Sequence, residues 1–228
     1  IIFFSVNLPL QILKFDSNDN YLDKIIFNTL VQINLILLLS FLNVTLKTIL
    51  IIYFIYLTTC VIFQFINQIN IKSLIKKDNL YYFFIITICL FLCLDVSYSL
   101  ILDWDAQVFW ISKTLNFYNN ENIGNLVNSR NENYPFLGSL LWATFWKISF
   151  ISEEYTGRLF YVFLYSVSLA SLIETLKSTP VIKSIFFIIL VLMSYKYVHF
   201  SGSQDVLIFC LIAIAAKNLY CIIDEEGN

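Results

Sequence analysis

Six long apolar segments constrain this chain of 228 residues more than any other feature. A helix needs about 20 mostly apolar residues to cross a bilayer, and backbone polar groups in lipid must be satisfied within the segment itself. The sequence therefore predicts an all-α fold, a polytopic membrane helix bundle. The predicted spans are 25–42, 48–67, 80–100, 157–175, 181–199 and 206–222.

Composition supports a membrane protein over a soluble domain. Apolar residues make up 59% of the chain and charged residues 13%, against about 45–50% and about 25% in an ordinary soluble domain. The formal net charge is −2 and no basic tract is present. We therefore expect contacts with membrane lipids and no nucleic acid partner.

The apolar pattern divides the chain into three parts. Residues 1–100 are predicted to hold the N-terminal spans, 101–156 a large loop on the outer side, and 157–228 further spans. The apolar stretch 1–13 is too short to cross a bilayer, so we interpret it as the tail of a truncated span. Since the chain also stops soon after a span, we expect a fragment cut at both ends.

Lysines in short loops predict the orientation of the spans. Lys72, Lys76 and Lys77 lie between two spans, and short loops rich in lysine stay on the cytoplasmic side. The span 80–100 then runs outward and the loop after it lies outside. Lys177 and Lys183 fall on a second inner turn by the same count.

The segment Pro135 to Phe150 is predicted to be an interfacial helix. It is short for a crossing and carries Trp142 and Trp146, as helices that lie in the membrane interface do. If it does not cross, the turn from Ser201 to Asp205 lies on the same outer face as the large loop. Inside the span 80–100, Asp95 is expected to face the bundle and not lipid.

The large loop concentrates the polar groups that could carry chemistry. It contains Asp103 and Asp105, then Trp110 and Lys113, and its polar run ends at Tyr134-Pro135. Carboxylates at the mouth of an apolar helix are costly to place and usually functional. Asp105 could instead cap a helix, and Asp205 could be the N-cap of the span at 206–222.

Four motifs resemble those of bacterial GT-C glycosyltransferases. Asp105-Ala-Gln-Val-Phe-Trp110-Ile-Ser-Lys113 is similar to the first outer-loop motif of that superfamily, and Asn133-Tyr-Pro to the segment that ends the loop. Glu154-Tyr-Thr-Gly-Arg158 resembles the entry to the next span, and Gly202-Ser-Gln-Asp205 the second motif with an aspartate. The resemblance covers roughly residues 95–222 and is nearest the protein mannosyltransferase and aminoarabinose transferase type.

The resemblance implies sugar transfer from a polyprenyl-phosphate carrier to a glycan, lipid or protein acceptor. Such a reaction needs a base for the acceptor hydroxyl and cations for the leaving phosphate. Asp105, Asp103 and Asp205 are then the candidate catalytic acids, and Lys113 and Arg158 the candidate phosphate ligands. Lys113 follows Asp105 by eight residues, which places both roughly on one face of a helix.

Several alternatives remain open at this level. Lys113 and Arg158 could reach toward lipid headgroups instead of a substrate. The acids could hold a divalent cation, for which oxygen ligands favour Mg²⁺ or Mn²⁺. A transporter or lipid-translocating protein would also keep acids at membrane level, and a non-catalytic assembly subunit is a third hypothesis. The resemblance implies a bacterial inner membrane, with the site on its outer side.

Overall fold

The structure, a computed structural model, describes residues 21–66, 79–128, 132–195 and 200–226. Every regular element in these ranges is helical, which confirms the all-α prediction. The α-helices are α1 Tyr21–Phe41, α2 Leu46–Ile66, α3 Asn79–Ser99, α4 Ile111–Tyr118, α5 Leu137–Ser149, α6 Tyr155–Glu174, α7 Pro180–Tyr195 and α8 Asp205–Glu226. A π-helical segment, Ala106–Trp110, precedes α4, and a 3-10 segment, Ile123–Asn128, follows it.

Four helices are long and apolar enough to cross a membrane. They are Leu22–Phe41, Leu80–Ser99, Tyr155–Glu174 and Asp205–Ile223. The apolar stretches Leu46–Thr59 of α2 and Pro180–Tyr195 are shorter in the part of the chain that the structure describes. The predicted truncated span at 1–13 lies outside the described residues, as do Lys72, Lys76 and Lys77.

Helix α6 is the centre of the bundle. Most residues of Tyr155–Glu174 are buried, and this helix packs against α1, α3, α5, α7 and α8. Small residues such as Ser166, Ser168 and Ala170 let the neighbouring helices approach its backbone. Tyr81 of α3 donates a hydrogen bond to the Ala170 carbonyl at 2.7 Å, which ties α3 to this centre.

The bundle has two ends that differ in what they carry. The end that we call the loop end holds the last residues of α3 and α7, the first residues of α6 and α8, and the long connection 100–154. The opposite end, called the lysine end, holds the first turn of α1 and the last turn of α6. Lys177 and Lys183 follow α6 there, opposite Asp103, as the positive-inside argument predicts. The orientation of the bundle in a membrane stays a prediction.

The position of Asp95 differs from the one predicted. Its side chain is exposed on α3, a peripheral helix with few buried residues. The Tyr195 hydroxyl of α7 donates a hydrogen bond to its carboxylate at 2.6 Å. Asp95 is therefore exposed and not enclosed by the bundle as expected, although its carboxylate does bond a neighbouring helix.

The environment of the predicted interfacial helix is also corrected. Helix α5 has 13 residues, about 20 Å at about 1.5 Å per residue, so it is short for a crossing. It runs antiparallel to the start of α6, since Tyr161 bonds the Gly138 carbonyl while Gly157 lies against Trp142. All residues from Gly138 to Trp146 are buried. Its tryptophans thus pack inside the protein, because α4 and α6 cover the faces that lipid would otherwise contact.

Candidate functional site

The segment that carries Asp103 and Asp105 lies directly against the turn before α8. The Asp103 amide donates to the Ser201 carbonyl at 3.0 Å, and the Ser201 hydroxyl donates to the Asp103 carboxylate. These residues are 98 positions apart in the chain. The structure therefore brings together the two acid-bearing segments that the sequence assigned to one face.

Arg158 contacts both segments of this junction. It lies in the first turn of α6 with 1% of its surface exposed. One guanidinium nitrogen donates to the Ile101 carbonyl at 2.9 Å and to the Phe200 carbonyl at 3.0 Å. The other donates to Glu154 at 2.9 Å. Arg158 thus joins both segments through their backbones, while its Nε has no hydrogen-bond partner within the described residues.

Glu154 is the counter-charge of the buried Arg158 guanidinium. It precedes α6 by one residue and forms an ion pair with Arg158 across one helical turn. Burial raises the pKa of the Glu154 carboxyl above its ordinary value, although the Arg158 charge acts in the opposite direction. Trp142 donates its indole N–H to the Glu154 carbonyl at 3.0 Å, so α5 fixes this residue as well.

Asp105 stands free at the start of the π-helical segment. It occupies the N-cap position of Ala106–Trp110, but its side chain makes no capping hydrogen bond and is exposed. The alternative that Asp105 serves as a helix cap is therefore not what its side chain does. Helical segments of the π type are rare and are often found at functional sites.

Asp205 is the first residue of α8 and its side chain is exposed. The preceding residue, Gln204, accepts the first amides of this helix through its carbonyl oxygen. The Ser203 hydroxyl donates to the Asp205 carboxylate at 3.1 Å and accepts from the Asp205 amide at 3.2 Å. Asp205 therefore lies one position inside the predicted N-cap, where its charge suits the helix dipole.

Lys113 lies in an aromatic cluster with two other predicted residues. Its ammonium donates to the Tyr134 carbonyl at 2.8 Å, 5.7 Å from the ring centroid of Trp110 and 5.9 Å from that of Tyr134. The residue is 0% exposed, and burial lowers the pKa of its ammonium. Pro135, the last predicted loop residue, is exposed beside this cluster.

The expectation that Asp105 and Lys113 share one helix face needs correction. Asp105 is exposed whereas Lys113 is fully buried. The π-helical segment between them replaces the 3.6-residue period on which that expectation rested. Both residues lie at the loop end, but this does not place them on a common surface.

Sequence reasoning missed several residues that shape the site. Phe109 packs edge-on against Trp104 at 5.5 Å and against Tyr134 at 5.3 Å, which extends the aromatic cluster toward Asp105. Gln204 is 7% exposed, and neither atom of its side-chain amide has a hydrogen-bond partner within the described residues. Both lie inside the resembling motifs, but only the fold shows what their side chains contact.

Gly202 permits the close approach of the turn to the rest of the site. Its φ is +92°, in the left-handed region that favours glycine. A Cβ at this position would lie 2.8 Å from the Trp142 ring and 2.9 Å from the Ala106 side chain. The glycine of the second predicted motif is thus needed for both conformation and space.

The acids do not form a preformed metal site. Within the described ranges, no three Asp, Glu, His or Cys side chains are grouped so that they could hold a metal ion. Asp103 is bonded to Ser201, while Asp105 and Asp205 are exposed. The described residues therefore offer no grouped ligand set for the Mg²⁺ or Mn²⁺ alternative.

No family model, curated protein or solved structure matches this chain. The resemblance to GT-C glycosyltransferases therefore rests on the four sequence motifs alone.

Proposed function

We propose that this protein is a membrane glycosyltransferase that moves a sugar from a polyprenyl-phosphate carrier to an acceptor hydroxyl. The observation that carries the proposal is the junction between Asp103 and Ser201. It joins the segment of the first resembling motif to that of the second, close to the start of α6. Acids from distant parts of the chain then meet at one end of a bundle of apolar helices, where a lipid-linked donor and a polar acceptor can both arrive.

In this proposal Asp105 is the base for the acceptor. The acceptor oxygen attacks the anomeric carbon of the sugar, and its proton passes to the Asp105 carboxylate. The bond between that carbon and the phosphate oxygen breaks, and the phosphate leaves with the electron pair. A phosphate is a weak base, so its departure needs cationic stabilisation and no strong acid. The free, exposed carboxylate of Asp105 suits this role.

Asp103 and Arg158 act as positioning residues. Asp103 is bonded to Ser201 through its amide and its carboxylate, so it holds the segment that carries Asp105. Arg158 bonds the same two segments through Ile101 and Phe200. Asp205, exposed at the N-terminus of α8, adds a second carboxylate near the acceptor.

Lys113 is the cation that we assign to the leaving phosphate. Its ammonium is held by the Tyr134 carbonyl, beside the rings of Trp110 and Tyr134. Lys113 is fully buried, so donor binding has to move the segment around Tyr134-Pro135 before the phosphate can reach the ammonium. Removing the ammonium should weaken engagement of the donor more than it slows the chemical step.

The partners and the location follow from the reaction. The donor is a polyprenyl-phosphate sugar, and the acceptor is a glycan, a lipid or a protein. The loop end faces outward from a bacterial inner membrane, with the lysine end on the cytoplasmic side, as the lysines in the short loops indicate.

The decisive experiment measures sugar transfer by the purified protein in liposomes. The donor is a radiolabelled polyprenyl-phosphate sugar, and a mixture of glycan, lipid and peptide acceptors is offered. Wild type should transfer label, and Asp105→Asn should cut turnover by about 10²–10⁴-fold, the scale for loss of a positioned base. Glu132→Gln, an exposed acid of the same loop, is the control and should keep full activity. Full activity in Asp105→Asn, or transport of lipid or ions by a wild type that transfers no sugar, would overturn the proposal.

A further inference from the structure

A cavity of about 220 Å³ lies at the lysine end, between α1, α6 and α8. It is far from the proposed active site, because the first turn of α1 and the last turn of α6 contribute to it. Its lining combines charged and hydroxyl groups, Asp23, Lys24, Lys217 and Ser171, with apolar side chains of α1. A ligand that matches this lining has both a polar and an apolar part.

Part of the polar lining is internally satisfied. Lys217 of α8 forms an ion pair with Asp23 of α1 at 2.7 Å, and Ser171 of α6 donates to the same carboxylate oxygen at 3.1 Å. Three helices therefore meet at one carboxylate, and these contacts define a fixed polar wall. With Asp23 neutralised by Lys217, this wall carries no net charge.

Lys24 gives the cavity its excess positive charge. It lines the cavity next to Asp23, and no described residue forms a hydrogen bond or an ion pair with its ammonium. Asn218 of α8 is exposed at the same cavity and brings an amide donor. A cation and a neutral donor beside a neutralised pair select an anionic group, and the compact ammonium of lysine is a common ligand of phosphate.

The remaining wall is apolar. Ile26 and Leu30 line the cavity from α1, one of the four helices that are long and apolar enough to cross a membrane. A helix end lies at the level of the lipid headgroups when the helix spans a bilayer. An amphiphile with an anionic head fits such a wall better than a free ion does, and basic pockets between membrane helices bind lipid headgroups.

We infer that this cavity is a binding site for the phosphate headgroup of an anionic phospholipid, with Lys24 as its principal cation. The headgroup phosphate contacts Lys24 and Asn218, and the first part of the acyl region follows Ile26 and Leu30. Asp23, Lys217 and Ser171 hold the three helices that form the cavity. The site does not depend on the proposed sugar transfer, since it lies at the other end of the bundle.

The test compares lipid binding by wild type and by three lysine variants in detergent. Short-chain phosphatidylglycerol is titrated against each protein, and bound lipid is counted by native mass spectrometry. Lys24→Gln should bind about tenfold more weakly, the scale of one charge-assisted hydrogen bond. Lys24→Arg should keep most of the affinity because it keeps the charge, and Lys47→Gln, an exposed lysine at the loop end, should bind as wild type does.

Three results would overturn the inference. The first is equal affinity of wild type and Lys24→Gln, with both shown to be folded by their melting temperatures. The second is equal binding of short-chain phosphatidylcholine, which carries no net charge. The third is competition by inorganic phosphate at the concentration at which the lipid binds, which would assign the cavity to a soluble anion instead.

Discussion

The acids at the two ends of the bundle differ in whether they form ion pairs. At the lysine end, Asp23 pairs with Lys217 and Glu174 pairs with Lys183, both at 2.7 Å. At the loop end, none of the three candidate acids forms an ion pair with another residue in the described ranges. Those acids are Asp103, Asp105 and Asp205.

Cations are present at the loop end but bond elsewhere. Lys113 bonds the Tyr134 carbonyl, and Arg158 bonds Glu154 and two backbone carbonyls. Glu154 is therefore the acid that Arg158 neutralises at this end. The two acids Asp23 and Glu174 of the lysine end are paired with lysines, whereas the loop end keeps three carboxylates that form no ion pair within the described part of the chain and are available to a ligand.

Removing the Arg158 charge should lower the free energy of unfolding by the largest amount. Arg158→Met leaves the Glu154 carboxylate buried without its cation and frees the carbonyls of Ile101 and Phe200. We expect a loss of about 3–5 kcal/mol in the free energy of unfolding, as for other broken buried pairs. Chemical denaturation in mixed micelles measures it.

A double variant separates the two causes of that loss. Arg158→Met combined with Glu154→Leu removes both charges and should recover part of the stability, since no buried carboxylate remains. Recovery should be incomplete because the two carbonyls stay unsatisfied. A loss below about 1 kcal/mol in the single variant would contradict the role given to Arg158.

The contact between α5 and α6 offers the next largest effect. A Cβ on Gly157 would lie 2.3 Å from the Trp142 carbonyl oxygen, a backbone atom that cannot rotate away. Gly157→Ala should therefore cost about 1–3 kcal/mol, as overpacking does. In Gly124→Ala, the control, the nearest atoms to the new Cβ lie at 3.3 Å and belong to asparagine side chains. Equal melting temperatures for the two variants would show that α5 and α6 can move apart enough to accommodate the new Cβ without loss of stability.

Sequence reasoning located the long helices because length and apolarity decide them. The predicted spans 80–100 and 157–175 became Asn79–Ser99 and Tyr155–Glu174. In lipid, a backbone leaves few alternatives to a helix. Local contacts and composition therefore suffice for this part of the fold.

The interior of the loop end was beyond such reasoning, because tertiary contacts decide it. Nothing local indicates that Asp105 opens a π-helical segment or that Lys113 is buried under two aromatic rings. Nothing local indicates either that Asp95 accepts a hydrogen bond from Tyr195, which is 100 residues away. The motifs do lie on segments that meet in the fold, as the bond between Asp103 and Ser201 shows, whereas the site and the catalytic roles stay predictions.

A matched pair of substitutions sharpens the contrast between the ends. Asp23→Asn removes the counter-charge of Lys217, which is mostly buried, while Asp23 itself is partly exposed. We expect a loss of about 1 kcal/mol, the upper range for partly exposed pairs. Asp105→Asn should change stability by less than about 0.5 kcal/mol, as for an exposed residue without partners. A larger loss in Asp105→Asn than in Asp23→Asn would contradict the assignment of Asp23 to a stabilising ion pair and of Asp105 to an exposed carboxylate without one.

The smallest expected effect concerns the pH dependence that Glu154 gives to the loop end. Burial raises the pKa of its carboxyl above the unfolded value of 4.5. The folded protein then binds this proton more tightly than the unfolded chain, so the contribution to stability is fully present below about pH 4.5 and falls as pH rises through the raised pKa. Glu154→Gln keeps an acceptor for Arg158 but cannot titrate, so its melting temperature should fall less over that pH range than that of wild type. Glu132→Gln, at an exposed position of the same loop, should follow the wild-type curve. If Glu154→Gln reproduced the wild-type curve as well, Arg158 and not burial would dominate the charge state of Glu154.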